Sequence, residues 1–538
     1  MKNGQKRIFR TKFNSWLVFF VLLALVVTAC SPAADNPASD KEGKKGKGDS
    51  REKLTLHWFT AVDQATSVLP DAKADFVKQA IEEKFNVELN IEYLPWGEDF
   101  KNQTNVKLAS GDAPDMFLTD GNRSATYAID GILGDMTPFV SPETMPNYFK
   151  WVTETELERY AIHNSFVRAP IPFARNVYRS YYIRKDWLDK LKLDIPKNYD
   201  EMIEVMRAFT FKDPDGNGKN DTYGMSASGG GRVVSIDFPQ WIHHDLIGAI
   251  MIENKEFIDV LTDLRVEKVI DDVIAMLDEG IVDPDWFLND GSAHFDKAAQ
   301  GKVGIVASGV LDGFFDSNPN SIHNKTKAIQ PDAAWVPFNP FPDKPGVWTE
   351  NLPGNPFVFP KAAAEERPEN IKRTVEILDW LASEEGFLLT HYGVEGKQYT
   401  REGNKITLIP EAIQEDVLEQ GNFLDIYDFF TPPEPEVLGL EVIDPRMTER
   451  DRKIAETINS YKLIPSIGTN VAPPDGFDLA AFRTMMHERH AQMVFDEKSG
   501  KNWSKYREEL MTKYEGKQAF QSYVEQIRKV GIEIADFE

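Results

Sequence analysis

The sequence has one cysteine, Cys30, among 538 residues, so no disulfide can form within the chain. A secreted fold built from it has to be stable without the cystine framework that small extracellular domains use. Positive charge is also scarce, because 61 Lys and Arg stand against 86 Asp and Glu and give a formal net charge of −25. Such an acidic chain repels phosphate groups, which excludes nucleic acid and anionic lipid headgroups as electrostatic partners.

Several catalytic and membrane signals are missing as well. The sequence has no nucleophile elbow, no His-Glu-x-x-His pattern, no P-loop and no second hydrophobic span after the first 29 residues. A secreted glycoside hydrolase or polysaccharide lyase stays open as an alternative function. Such an enzyme needs two acids facing each other across a cleft, and a pair of this kind is not recognisable among 86 acids.

The N-terminus has a basic start and then an apolar run, Trp16 to Val27, that is too short to span a bilayer as a helix. This pattern, followed by small residues, is typical of a secretory signal. The segment Val27-Thr28-Ala29-Cys30 resembles the lipobox of bacterial lipoproteins. The resemblance implies cleavage after residues 1–29, lipidation of Cys30 and anchoring by acyl chains at the extracellular face of the cell membrane. The alternative is an ordinary signal peptide with an incidental cysteine.

Residues 30–53 are expected to form a tether. Ser31 to Lys53 contains no apolar residue larger than alanine and mixes charged residues with Gly, Ser and Pro. Such a segment has nothing to bury, so it predicts a flexible linker between the lipid anchor and the folded body. The rest of the chain exceeds the size of one hydrophobic core, which predicts two lobes or more.

Strand and helix patterns alternate after the tether. Leu54 to Phe59 is apolar, Phe76 to Phe85 has helical periodicity, and Val87 to Tyr93 alternates apolar with polar residues. A second helix ending near Gly111 and a third strand, Asp115 to Leu118, follow. This order predicts a parallel, doubly wound sheet with strand order 2-1-3, in which the half-polar second strand lies at the edge.

Aromatic and polar residues follow the predicted strands at the sheet edge where ligands bind in open α/β folds. Indole rings stack on the C–H faces of sugars, and short polar side chains bind hydroxyl groups, so this combination suits a carbohydrate. A tryptophan at such a position can equally pack in the core. The candidate ligand-binding residues at this edge are Trp58, Trp96, Asp120 and Asn122.

Three motifs resemble the extracellular solute-binding proteins (family 1) of ABC sugar importers, in the branch of Gram-positive oligosaccharide binders. They are Ser110 to Met116, Arg184 to Leu193 and Tyr392 to Tyr399. The resemblance implies an α/β fold of the periplasmic-binding-protein type (type II), with two lobes, a hinge and the solute between them. The expected division is lobe 1 at 54–165, lobe 2 at 166–350, a return to lobe 1 at 351–430, and C-terminal helices of lobe 2 at 431–538.

The segment from Arg168 to Ile183 is turn-rich and is predicted to form the first passage between the lobes. The proline-rich segment from Pro331 to Pro360 is predicted to form an extended return passage. Further candidate ligand-binding residues lie in or near these passages. They are Tyr181, Trp241, Trp286 and Trp348, and Trp335 is also expected near the cleft. A cluster of arginines would bind uronate carboxylates if it faces the cleft, and is ordinary surface if it does not. Its members are Arg168, Arg175, Arg179 and Arg184.

The segment Asp213 to Gly224 has the oxygen spacing of an EF-hand calcium loop. The candidate ligands are Asp213, Asp215, Asn217, the carbonyl of Lys219, and Asp221. Gly224 replaces the usual bidentate Glu at position 12, so binding should be weak unless Thr222 or another segment supplies an oxygen. Alginate-oligosaccharide binders of the resembled family carry a similar calcium loop, which implies a structural calcium ion here. A polar turn without metal is the alternative.

A zinc site at His243-His244 is not expected, because adjacent histidines point apart in regular structure and no third ligand is spaced with them. The leading hypothesis is a monomeric, lipid-anchored receptor that closes on an oligosaccharide, neutral or uronic, and docks on an ABC permease. It would not be an enzyme. A sugar-sensing or adhesive surface lipoprotein is a further alternative.

Overall fold

The computed structural model of the protein describes residues 51–62, 67–161, 165–350 and 355–538. The lipobox-like segment with Cys30 and nearly all of the tether lie outside these residues, so the signal peptide, anchor and linker stay predictions. Within the described ranges, no helix combines the length and apolar character needed to cross a membrane.

The strands form two main sheets and three small ones. They are β1 Leu54–Val62, β2 Val87–Pro95, β3 Met116–Leu118, β4 Ser180–Arg184, β5 Tyr223–Met225, β6 Ile250–Glu253, β7 Glu256–Asp259, β8 Val303–Ser308, β9 Trp335–Phe338, β10 Trp348–Thr349, β11 Phe357–Val358, β12 Tyr399–Glu402, β13 Lys405–Leu408, β14 Glu441–Ile443 and β15 Leu463–Ile464.

The helices surround these sheets. They are α1 Phe76–Phe85, α2 Glu98–Ser110, α3 Gly121–Ile129, α4 Glu154–Arg159, α5 Lys185–Leu191, α6 Tyr199–Phe211, α7 Gln240–His243, α8 Val266–Glu279, α9 Ala293–Ala299, α10 Ile322–Ile329, α11 Lys361–Glu366, α12 Pro368–Leu381, α13 Glu384–His391, α14 Pro410–Ile413, α15 Glu449–Asn459, α16 Leu479–Gln492, α17 Trp503–Thr512 and α18 Gly516–Lys529.

Lobe 1 is built on the sheet with strand order β11-β3-β1-β2. β1 runs parallel to both β2 and β3, and β11 joins the far edge antiparallel to β3. The predicted order 2-1-3 is therefore confirmed, with β2 at the edge, where its exposed Glu88 and Glu92 meet water. Because parallel strands between two helical layers are buried on both faces, only the edge strand tolerates this alternation.

Lobe 2 is built on the sheet β5-β8-β4-β9, in which β4 is antiparallel to both neighbours and β5 is parallel to β8. Successive side chains of β4 enter two different cores: Tyr181 and Ile183 lie in one, and Tyr182 lies in the other. The second core also contains Trp335, which is fully buried on β9. The expectation that Trp335 lies near the cleft is wrong, because β9 is a core strand and not an extended passage.

Two passages between the lobes run side by side at one point. Arg168 forms an isolated antiparallel bridge with Val358 of β11. The first passage then continues without regular structure through residues 171–179 to β4, and the return leads from β9 through β10 to β11. Leu440 packs in the lobe 1 core although the expected division assigns it to lobe 2.

The C-terminal part begins with α15, which packs in the second core of lobe 2 through Ile454 and Ile458. The sequence predicts helices at 446–461, 477–495 and 516–530, and these correspond to α15, α16 and α18. α17 is not predicted. These helices complete the other core of lobe 2, where Phe482, Trp503 and Phe520 are buried.

Candidate functional site

The carboxyl edge of the lobe 1 sheet holds two of the predicted ligand residues at its surface. Trp96 follows β2 with 38% of its surface exposed, and its ring centroid lies 5.5 Å from that of Phe100. Asp120 caps the start of α3, accepting a hydrogen bond from the Arg123 backbone N–H at 2.8 Å. The side chain of Asn122, in the first turn of α3, lies outside the described part of the structure.

Trp58 and Trp286 are buried in the two lobe cores, each with 1% of its surface exposed. Trp58 donates from Nε1 to Thr374 Oγ1 at 3.4 Å, and its ring lies 5.2 Å from Phe430. β1 continues to Val62, three residues beyond the predicted end, so Trp58 lies inside the sheet and not at its edge. Neither ring is available to stack on a sugar, which corrects the sequence-based assignment for both.

The structure brings three other predicted residues together beside β4, around a cavity of about 180 Å³ in lobe 2. Trp348, 8% exposed, and Trp241, 2% exposed, line this lobe 2 cavity. The Tyr181 ring packs 5.6 Å from the Trp348 ring but is 2% exposed and does not line the cavity, so Tyr181 and Trp241, like Trp58, offer no free face to a sugar. The lobe 2 cavity is lined by Val177, Arg179, Ile236, Trp241, Ile242, Leu246, Ile247, Gly248, Val260, Trp348 and Thr349.

Polar groups of the lobe 2 cavity are held in a fixed arrangement. The Arg179 guanidinium lies over the Trp348 ring, 5.0 Å from its centroid, and forms an ion pair with Asp237. Tyr181 donates from its hydroxyl to the Asp237 carbonyl at 3.2 Å, and burial raises the pKa of this hydroxyl. Trp348 Nε1 is buried without a hydrogen-bond partner among the described residues. A buried donor of this kind gains free energy from any acceptor that a ligand brings.

Arg184, another member of the arginine cluster, does not face a cavity. Its Nε donates to Asp186 at 2.8 Å, and its terminal nitrogen donates to Gln330 at 2.7 Å. The guanidinium lies between the rings of Trp187 and Trp335 and is 1% exposed. Arg184 therefore stabilises the core of lobe 2, and uronate recognition by this residue is ruled out.

A larger cavity of about 310 Å³ lies in lobe 1, where the two passages meet. Sequence reasoning missed this lobe 1 cavity, although the aromatic and proline-rich stretches 166–174 and 428–433 that form much of it were a usable signal. It is lined by Tyr148, Val152, Glu156, Leu157, Tyr160, Phe166, Arg168, Ala169, Ile171, Pro172, Phe173, Ala174, Asn355, Pro356, Phe357, His391, Asp428, Phe429, Thr431, Pro432 and Pro433.

The lobe 1 cavity combines aromatic walls with half-buried titratable groups. Burial lowers the pKa of Arg168 to about 10, which leaves it charged at neutral pH. Burial also lowers the pKa of His391 to about 4, so its imidazole is neutral. Glu156 pairs with Arg175 at 2.7 Å. Burial raises the pKa of Glu156, but hydrogen bonds from Arg175 and Thr153 outweigh this and lower it overall, so the carboxylate is ionised.

The calcium-like loop folds around its own acidic side chains. Asp213 accepts hydrogen bonds from the backbone N–H groups of Gly216 at 2.9 Å, Asn217 at 3.0 Å and Gly218 at 3.1 Å. Asn217 Nδ2 donates to Asp215 at 2.8 Å and to Asp221 at 2.9 Å. Its amide thus places one polar atom between two carboxylates. The carboxylates of Asp213, Asp215 and Asp221 lie in the same turn, and oxygens grouped in this way suit a calcium ion.

Position 12 of the loop cannot carry a ligand. A Cβ at Gly224 would lie 2.5 Å from Met206 Cβ and 2.9 Å from the Ile281 carbonyl oxygen, so no side chain fits there. Thr222 does not supply the missing oxygen either, because it is buried and donates its hydroxyl to the Phe209 carbonyl at 2.7 Å. The peptide N–H of Lys219 bonds Asn217 Oδ1 at 2.8 Å, which keeps its peptide within the turn.

The fold and these sites are those of a binding protein with two α/β lobes. A sequence profile of the bacterial extracellular solute-binding proteins matches residues 67–386, more than half of the chain. The chain therefore belongs to the bacterial extracellular solute-binding proteins.

Two relatives are known by what they bind. The polygalacturonan/rhamnogalacturonan-binding protein YtcQ of Bacillus subtilis (strain 168) is 24% identical over 423 residues, which cover 73% of this chain and 76% of YtcQ. The fructooligosaccharide ABC transporter substrate-binding protein FusA of Streptococcus pneumoniae serotype 4 is 24% identical over 332 residues, which cover 55% of this chain and 57% of FusA.

Solved structures show the same fold. The alginate-binding protein AlgQ2, crystallised without calcium ion, matches with a TM-score of 0.66 at 19% identity, over 88% of this chain and 98% of that chain. FusA in complex with kestose matches with a TM-score of 0.61 at 18% identity, over the same shares. An EF-hand mutant of FusA with fructo-nystose matches with a TM-score of 0.62 at 17% identity, again over 88% of this chain and 98% of that chain. The predicted two-lobe α/β fold is confirmed.

Proposed function

We propose that this protein is a lipid-anchored receptor that captures an oligosaccharide outside the cell and delivers it to an ABC permease. The observation that carries this proposal is the pair of aromatic cavities next to the first passage, one in each lobe, each with an arginine in its lining. Aromatic faces with a few fixed polar groups suit sugar rings, and a volume of about 300 Å³ is at the lower end of ligand sites. The names of YtcQ and FusA support the same class of ligand.

Hinge closure is the proposed mechanism. Residues 171–179 and 339–347 contain no helix or strand, so a few backbone rotations there would move one lobe against the other. An oligosaccharide that contacts both cavities gains its full binding free energy only when the lobes close. Binding therefore shifts the population toward the closed form, which would dock on the permease.

The two arginines that line the cavities bear on whether each cavity prefers a neutral or an anionic sugar. Arg179 is neutralised by Asp237, so the lobe 2 cavity favours neutral rings with hydroxyl groups. Arg168 is half-buried in the lining of the lobe 1 cavity, with Tyr148 and Tyr160 as electrostatic neighbours. Its guanidinium keeps a uronate carboxylate among the candidate ligand groups in lobe 1. Oligogalacturonides and fructooligosaccharides therefore both belong in the first screen.

The test is calorimetric titration of the protein without its first 29 residues against oligogalacturonides, alginate oligosaccharides, fructooligosaccharides, amino acids and peptides. Saturable binding of at least one oligosaccharide, with none of the amino acids or peptides, is the expected result. Binding of amino acids or peptides alone would contradict the proposal.

Trp348→Phe sharpens the test, because it removes the unpaired Nε1 donor and keeps an aromatic ring. We expect the Kd for the sugar to rise about fivefold, since a hydrogen bond contributes about 1 kcal/mol, while stability in the absence of sugar changes little. Trp380→Phe is the matched control, because Trp380 Nε1 donates to Glu385 in lobe 1, outside both cavities. Equal sugar affinity of Trp348→Phe and Trp380→Phe would show that Trp348 Nε1 does not bind the sugar.

Catalysis is not part of the proposal. Glu156, an acid in the lobe 1 cavity, is ionised and paired with Arg175, whereas a glycosidase needs one acid that stays protonated. Incubating the protein with the sugar that it binds, and measuring new reducing ends or unsaturated uronates, tests this directly. Any turnover that scales with protein concentration would favour the enzyme.

The anchor and the permease complete the proposal. Labelled fatty acid should be incorporated into the wild-type protein and not into Cys30→Ser. Uptake of the bound sugar should require both the protein and a permease. Uptake that is unchanged when the permease genes are deleted would favour a sensing or adhesive lipoprotein instead.

We also propose that the loop holds one calcium ion through Asp213, Asp215, Asn217, Asp221 and the Lys219 carbonyl. The ion would neutralise carboxylates that are crowded in one turn, at the start of β5 in lobe 2. Since no residue of the loop lines either cavity, the ion would stabilise the lobe and would not contact the sugar. AlgQ2, which was crystallised without calcium ion, and FusA, of which an EF-hand mutant has been solved, support this assignment.

A further inference from the structure

A cluster between α7 and α8 of lobe 2 brings two imidazoles and one carboxylate together. His243 ends α7, His244 follows it, and Asp272 lies on α8. Each residue offers one ligand atom, and the three atoms lie within 4.8 Å of one another. His244 Nε2 is 2.7 Å from Asp272 Oδ2. All three side chains are half-buried, so water and ions reach them.

The geometry of α7 explains why two adjacent histidines converge. α7 is a single turn, and the chain leaves it at His244, with φ −93° and ψ 22°. Asp245 follows in the left-handed region at φ 60°. The chain therefore reverses directly after the helix, and the two rings lie 4.9 Å apart between centroids at an angle of 70°. The expectation that adjacent histidines point apart is wrong here because it holds only within regular structure.

His243 is held in place by its ring and not by its nitrogens. Its imidazole stacks on Tyr199 at 4.0 Å between centroids, and Tyr199 in turn accepts a hydrogen bond from Gln240 at 2.9 Å. Neither ring nitrogen of His243 makes a hydrogen bond to a described residue.

The charges around the cluster admit a cation. Asp272 and Asp200 both favour positive charge at His243. Lys344 lies nearby and is already neutralised, donating to the Asp245 carboxylate at 2.6 Å and to the His243 carbonyl at 3.0 Å. Arg265, which donates to the Asp245 carbonyl at 3.4 Å, is likewise paired, with Asp263 at 2.8 Å.

We propose that His243, His244 and Asp272 bind a divalent transition-metal ion, with zinc as the best match. Two imidazole nitrogens and one carboxylate oxygen suit zinc in a tetrahedral site whose fourth ligand is water. Calcium and magnesium prefer all-oxygen sites, so the same cluster should discriminate against them. The ion would tie α7 to α8. Because α7 presents Trp241 and Ile242 to the lobe 2 cavity, the ion would also hold one wall of that cavity.

The experiment uses the chelator-treated mature protein, titrated with zinc, calcium and magnesium salts and followed by calorimetry and thermal unfolding. We expect one zinc ion per chain, a rise in Tm with zinc, and no competition from calcium or magnesium at the cluster. Cobalt(II) should give the intense visible bands of a tetrahedral site. Octahedral cobalt bands, or no zinc binding at 1:1 stoichiometry, would overturn the proposal.

Two variants test which residues bind the ion, and two serve as controls. His243→Gln and His244→Gln should each weaken zinc binding at least about tenfold, and both are partly exposed, so folding is checked by circular dichroism. His57→Gln, at an exposed position on β1, is the matched control and should bind zinc like the wild type. Asp221→Asn, in the calcium-like loop, should also leave zinc binding unchanged. Wild-type zinc affinity in His243→Gln and His244→Gln would show the cluster is not the site.

Discussion

Asp221→Asn isolates the proposed contribution of calcium to stability. The Asp221 carboxylate accepts one hydrogen bond, from Asn217 Nδ2, whereas Asp213 also holds three backbone N–H groups of the turn. Replacing Asp221 therefore removes a charged calcium ligand without undoing the turn. Replacing Asp213 would confound loss of the ion with loss of the loop.

The magnitude follows from binding linkage. An extracellular calcium site without the position 12 carboxylate is expected to have a Kd of about 0.1 mM. At about 10 mM calcium the ion then stabilises the folded state by about 2.7 kcal/mol. A folded body of about 490 residues has an unfolding entropy near 1 kcal/mol/K, so Tm should rise by about 3 °C. If lobe 2 unfolds on its own, the rise should be about twice as large.

Asp221→Asn should weaken calcium binding about 100-fold and leave a stabilisation of about 0.4 kcal/mol at the same calcium concentration. Scanning calorimetry with calcium and with EGTA measures both values. Asp278→Asn is the matched control, because it makes the same charge change at an exposed position of α8. Equal calcium-induced shifts in wild type and Asp221→Asn would refute the reasoning, as would the absence of any shift in the wild type.

Three further predictions concern stability. Burial lowers the pKa of His490 to about 3, below its unfolded value of 6.5. The unfolded state therefore binds the extra proton, and the free energy of unfolding falls as the pH drops below 6.5. Between pH 7.5 and 4.5 the loss from this residue, measured by urea titration, should be about 2–3 kcal/mol. Gly224→Ala should destabilise lobe 2 by about 1–3 kcal/mol, because its Cβ would lie 2.5 Å from Met206. Arg184→Met should cost about 2–3 kcal/mol of unfolding free energy, since Asp186 loses its buried partner, and should leave the Kd for sugar unchanged.

Each of these predictions has its own control. His490→Gln should reduce the loss of unfolding free energy between pH 7.5 and 4.5 by about 2–3 kcal/mol, leaving the part that other buried histidines such as His391 contribute. An unchanged pH dependence would show that His490 does not contribute. Gly97→Ala should be nearly neutral in urea titration, because nothing lies within 4 Å of its added Cβ. If Arg184→Met weakened sugar binding as strongly as a cavity substitution does, Arg184 would be part of the site after all.

Local patterns predicted the elements that depend on neighbouring residues. Helix α1 begins where Asp75 caps it and ends where Asn86 adopts the left-handed conformation, and its buried Val77 and Ile81 are those that the periodicity indicates. β2 reveals its edge position through Glu88 and Glu92, because water must cover one face. The spacing of the calcium-like loop is equally local.

The cavities and the buried tryptophans depend on residues far apart in the chain. Trp58 is covered by Thr374 and Phe430, which come from the return to lobe 1. The same residue type at Trp348 lines a cavity, because the chain around it pairs with β15 and leaves one side open.

The sequence by itself determined the strand order of lobe 1 and the loop whose oxygens are spaced for calcium, because each follows from periodicity or spacing within a short segment. The two-lobe class was implied by the resemblance of three motifs to a known family. Only the tertiary structure decided which aromatic rings are walls of cavities and which are core, and it alone brought Asp272 to His243 and His244. Burial and convergence of ligands depend on how distant segments pack, and no local pattern encodes that packing.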